Sequence, residues 1–302
     1  MLFACKYAYK QHPEKSKMRY LKNLGCAAAL ALATMGSAQA SALMTDWVFN
    51  PSGGGFAGGQ AINEYLDVNG NAFIELTPSG TTSFTFKEHA VFNLVQADSN
   101  GALFPMAFPG GNITATLEAK GSGSFGGAFA FESGTIRMYH NTKNGQYSTT
   151  AGYYGANLGT QIAQFSVLAG GGGNVNANGS PLNNGQVSVH AHADAGMLKA
   201  GYFFNGQGVD LSTQPIFAFA FTNANTIGTP RSSLVNEVAC QFAGFKGRGC
   251  NRTSYKNVDR QHFFIGGNGQ FKLAEVPEPG SVALFGIALA GIGAMRRRVQ
   301  AA

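Results

Sequence analysis

Residues 215–222 read PIFAFAFT, with phenylalanine at 217, 219 and 221 and alanine at 218 and 220. Side chains of an extended chain point alternately to opposite faces, so this strict period of two marks a half-buried β-strand with Phe217, Phe219 and Phe221 on one side. The same alternation recurs in TTSFTFK (81–87), which sets Phe84 and Phe86 together, in NITATLEA (112–119), with Ile113, Ala115 and Leu117, and in GAFAFES (127–133), with Phe129 and Phe131. Shorter candidates lie at 72–76, 90–95, 135–139, 161–168, 186–194, 199–204 and 261–265. About eleven strands, with a single helical turn near 234–239, predict an all-β chain folded as one antiparallel β-sandwich or jelly-roll domain. Asn-Gly pairs at 69–70, 100–101, 144–145, 184–185 and 268–269 supply the positive φ of tight hairpins and predict turns there, in a meander or Greek-key order.

The 302 residues include 42 Gly and 24 Phe, and 21 Lys or Arg against 15 Asp or Glu give a net charge of +6. That excess is not spread evenly. Six of the basic residues precede Ser41 and three follow Gly280, leaving 12 basic and 14 acidic residues between them. The body at 41–275 is therefore near neutral and long enough for one core, and no nucleic-acid partner is expected. Its cysteines, Cys240 and Cys250, sit in CQFAGFKGRGC, where glycines at 244, 247 and 249 let a small ring close. A disulfide is expected if the chain enters an oxidising compartment, since two thiolates with His262 alone make a poor metal site.

Both ends point to such a compartment. Lys17 to Lys22 form a basic stretch, 24–35 is apolar, and Ser37-Ala38-Gln39-Ala40 offers the small residues of a signal-peptidase site. Residues 1–40 thus read as a signal peptide cut after Ala40, with Ala38 and Ala40 at the cleavage positions and translation expected from Met18. Lipidation of Cys26 is not expected, because the apolar run follows rather than precedes it. At the other end, 276–302 reads VPEPGSVALFGIALAGIGAMRRRVQAA. Pro277 and Pro279 stop any helix, and the uncharged run 281–295 would span only about 22 Å of a ~30 Å hydrocarbon layer. Arg296, Arg297 and Arg298 suit a stop at the cytoplasmic face.

Pro277-Glu278-Pro279, a short apolar helix and an arginine cluster, in that order, resemble the PEP-CTERM sorting signal. The resemblance implies that residues 276–302 are a transient transmembrane sorting helix. It implies export through the inner membrane, cleavage near Pro277-Glu278-Pro279 by an exosortase-type membrane protease, and delivery to the cell surface or extracellular matrix. The body, from Trp47-Val48-Phe49-Asn50-Pro51 to Gly269-Gln270-Phe271-Lys272-Leu273, is similar to the flocculation-associated PEP-CTERM type. That likeness implies a role in floc or biofilm formation with extracellular polysaccharide.

Catalytic signatures are sparse. There is no Gly-x-Ser-x-Gly elbow and no His-Glu-x-x-His, and the glycine runs at 53–59 and 170–173 do not lead from a strand into a helix with a following Lys and Ser or Thr. A non-enzymatic protein with no cofactor is expected. Two alternatives remain. Glu64, Asp67, Glu75 and Glu88 could supply a carboxylate pair for glycan cleavage, while Trp47, Tyr65, Tyr153 and Tyr154 could stack on sugars if exposed. In VSVHAHADAG a strand would place His190, His192 and Asp194 on one face, a spacing able to bind a divalent metal, although a solvated polar stripe explains it as well.

Overall fold

The computed structural model describes residues 43–99, 102–105, 111–143, 146–182 and 184–276. Among them the long strands are β3 (Leu66–Ser79), β4 (Ser83–Ser99), β6 (Asn112–Ser124), β7 (Ala128–Asn141), β8 (Thr160–Val167), β9 (Gly170–Asn174), β10 (Gly185–Ala193), β12 (Ile216–Thr226) and β13 (His262–Glu275). Short strands are β1 (Trp47–Phe49), β2 (Gln60–Ile62), β5 (Ala102–Pro105) and β11 (Phe203–Phe204). Each long strand pairs antiparallel with the next, β8 and β9 sharing one place between β7 and β10, and β12 pairs with both β10 and β13. β13 returns to β3, pairing Phe271 with Leu66 and His262 with Glu75. The sheet closes on itself as an up-and-down barrel.

This corrects the expected sandwich or jelly roll: one continuous ladder runs around the ring, and closure removes the edges that an open sheet would have to protect. Among the described residues the ring is built from nine long strands, several of them longer than alternation suggested. The runs at 81–87 and 90–95 are one strand, β4, and those at 127–133 and 135–139 are both β7. Of 199–204 only Phe203–Phe204 is strand. Two predicted turns are also overturned. Asn69-Gly70 and Asn268-Gly269 lie mid-strand, with Asn69 directly opposite Asn268. Gly70 is there for space, because a Cβ would stand 2.2 Å from Cδ1 of Phe92. Asn184 does take the positive φ, 54°, of a turn, whereas 100–101 and 144–145 fall outside the described residues.

Alternation fills the barrel. Phe84, Phe86, Ala90 and Leu94 of β4, Ile113 and Leu117 of β6, and Ile216 and Ala218 of β12 are buried in one core. In β12, therefore, alanines face inward, while Phe217 and Phe219 lie half-buried outside and Phe221 is 38% exposed. Outside as well, Arg137 pairs with Glu118 at 3.5 Å, and Glu75 sits opposite Lys87. An apolar interior with a charged exterior is the reverse of the pattern by which β-barrels face lipid. No helix among the described residues is long and apolar enough to cross a membrane.

Two additions complete the body. β11, β1 and β2 form a small sheet whose fully buried Trp47, Phe49, Phe203 and Ile62 join the barrel core. Asn50 locks the following turn, its Oδ1 accepting from the Ser52 amide (2.9 Å) and hydroxyl (2.7 Å), and its Nδ2 donating to Gly55 O (2.6 Å). On the barrel's outer side, a helical segment at Ser232–Leu234 and Val235–Phe242 packs Leu234, Val235 and Val238 against Phe73, Val91 and Phe264 in a second core. Cys240 and Cys250 are disulfide-bonded at the end of this segment, with Cα atoms 5.5 Å apart.

Candidate functional site

As far as Leu94 the even-numbered residues of β4 point inward, and among Phe84, Phe86, Ala90 and Leu94 that phase brings Glu88 into the barrel. Its cross-strand neighbours are Ile74 of β3 and Ala119 of β6. Three lobes of internal space, about 60, 50 and 30 Å³, adjoin it. Glu88 and Thr222 border all three. The largest lobe is otherwise walled by apolar side chains such as Val68, Leu94, Leu117, Met138, Val189 and Phe271. The smallest reaches the paired Gly70 and Gly267, where the wall is backbone alone.

Glu88 is half-buried by surface area because it borders these lobes, and its carboxyl is removed from bulk water. Desolvation lifts its pKa to about 7. No hydrogen bond or ion pair to Glu88 occurs among the described residues, so it stands as a lone acid in an apolar chamber. Burial of an ionisable group is costly without a partner, and such sites are places to look for function.

The other predicted residues do not converge on it. Glu64 is held by Lys272, whose ammonium also lies 5.4 Å from the Tyr65 ring. Asp67 and Glu75 occupy the outside of β3, about 27 Å apart at ~3.4 Å per residue. Burial raises both pKa values, and Lys87 partly offsets the effect at Glu75. A carboxylate pair drawn from Glu75 and Glu88 is excluded by their opposite faces. The aromatic platform is corrected in part: Trp47 is fully buried and stacks on Phe203 and Tyr154 is buried, while Tyr65 and Tyr153 stay half-buried, Tyr153 stacked on Phe242 at 4.3 Å.

His190, His192 and Asp194 do share the outer face, as alternation predicted. His190 meets Phe219 edge-on at 5.3 Å, and His192 Nε2 lies 3.8 Å from the exposed Asp194. No group of three or more His, Cys, Asp or Glu side chains is placed to hold a metal ion among the described residues. A stripe that periodicity found but did not orient lies here instead: Phe217, Phe219 and Phe221 stand outside, opposite His192, His190 and Ser188 of β10. Elsewhere, His262 and His89 are driven toward the neutral form by burial, His89 packing against Phe242 at 5.0 Å.

β13 ends at Glu275. The signal-peptide positions Ala38 and Ala40, the sorting residues Pro277, Glu278 and Pro279, and Arg296, Arg297 and Arg298 lie outside the described residues. In comparison with known families, residues 275–298 match the PEP-CTERM protein-sorting motif. No curated protein and no solved structure shows significant similarity to the chain.

Proposed function

We propose, from the premise that this is a PEP-CTERM protein, exported and held transiently at the membrane for an exosortase, that the released barrel is a non-enzymatic matrix protein supporting floc or biofilm structure with exopolysaccharide. The observation that carries this reading is the junction at residue 275, where the last barrel strand ends and the sorting motif begins. A cut in the Pro277-Glu278-Pro279 region leaves all described strands in the released part, so the tail is an address and the barrel is the cargo. The outward stripe of Phe217, Phe219 and Phe221 beside His190 and His192 offers apolar and hydrogen-bonding surface of the kind that sugar rings use.

The test is made in the producing cell. A Pro277→Ala/Pro279→Ala variant should stay in the membrane fraction, and both this variant and the gene deletion should reduce cell aggregation. Normal flocs in the deletion strain would refute the matrix role. New reducing ends released from the host's own polysaccharide by the purified protein would instead favour the glycan-active alternative.

A further inference from the structure

The barrel chamber is a second feature that sorting does not use. Its walls come from seven strands around the ring, and they contribute one carboxyl, one threonine hydroxyl and otherwise apolar side chains to the largest lobe. No Lys, Arg or His borders any of the three lobes. An acid placed inward by strand phase, with no counter-charge beside it and no hydrogen bond made to it among the described residues, is what a site looks like when the missing charge arrives with the ligand.

We infer that the interior around Glu88 is a binding site for a compact, mainly apolar molecule carrying one protonated amine. The apolar body spans the adjoining lobes, the largest lined by Leu94, Leu117, Met138 and Phe271, and the ammonium meets Glu88 and Thr222, which border all three. Folding has already taken the carboxyl out of bulk water, so on binding the larger desolvation cost falls on the ligand's ammonium, against a charge-assisted contact in low dielectric. Size limits the class. The three lobes together approach the ~150 Å³ of an apolar cavity that takes up benzene, which suits ligands of about six heavy atoms. A hydrogen bond to a charged group separates a good partner from a neutral analogue by about tenfold to a hundredfold.

Cyclopentylamine and cyclopentanol, equal in size and differing in charge, are the probes, titrated calorimetrically at pH 8 into the exported protein purified from the producing cell. The expected result is at least about tenfold tighter binding of the amine, lost in Glu88→Gln while the alcohol is unaffected. Ala115→Leu, which fills the largest lobe and keeps Glu88, should weaken both probes. The inference is overturned if neither probe binds, if the alcohol binds as tightly as the amine, if the amine preference survives Glu88→Gln, or if Ala115→Leu leaves amine binding unchanged. Aggregation of the gene-deletion strain reads the matrix role separately, so the two readings can fail independently.

Discussion

Replacing Glu88 with glutamine isolates the cost of a charge inside the barrel. The carboxyl has a pKa of about 7 in the folded protein against 4.5 for the exposed group, raised by desolvation. Between those two values the folded state holds the proton that the unfolded state has lost, so stability falls as pH rises through the window and stays low above it. At ~1.36 kcal/mol per pKa unit the full cost is about 3 kcal/mol, an upper figure because water in the adjoining lobes would solvate the carboxylate. Glu88→Gln should therefore match the wild type at pH 4 and exceed it by up to about 3 kcal/mol at pH 8. With a urea m-value near 3 kcal/mol/M, that is roughly 1 M in the midpoint. Trp47, the single tryptophan and fully buried, reports unfolding by fluorescence. His89 and His262, held neutral by burial, bend the profile in the opposite sense. They are common to both proteins and cancel in the difference, as do Asp67 and Glu75. Profiles that run parallel from pH 4 to 8 would show that Glu88 is not desolvated, and the reasoning about the chamber would fall with it.

Reducing the Cys240–Cys250 disulfide frees an eleven-residue loop, which should cost about 2–3 kcal/mol by loop-closure entropy. Equal denaturation midpoints with and without reductant would refute that. Gly70→Val places a side chain where Phe92 and the Val91 carbonyl already stand, at 2.2 and 2.5 Å from a Cβ. A loss of about 1–3 kcal/mol or more is expected, and a thermal midpoint within a degree of wild type would overturn the steric argument.

Strand positions were legible because alternation is a local property of the chain. Closure was not, since the seams β10–β12 and β13–β3 are decided by pairing between distant segments. At 215–222 both phases are apolar, so period two could identify the strand without saying whether Phe219 or Ala218 faces the core. Asn69-Gly70 and Asn268-Gly269 misled because glycine serves close packing as readily as a turn. Glu88 was visible only as one of four acids: it fell between two apolar runs read as separate strands, and joining them as Phe84, Phe86, Glu88, Ala90 would have exposed a charge in core phase. The sorting motif was readable because its meaning lies in linear order.

The position of β13 also sets a timetable. The strand that joins β12 to β3 is the last to leave the membrane, and its partner Leu66 is among the first residues of the body to emerge. Until Glu275 has crossed, the ring has an open seam with two unpaired edges. Pairings of such long sequence separation form slowly, and transient anchoring through the C-terminal region would hold the chain at the membrane while that seam closes. Retention at the membrane would thus span the step in which the final strand completes the ring.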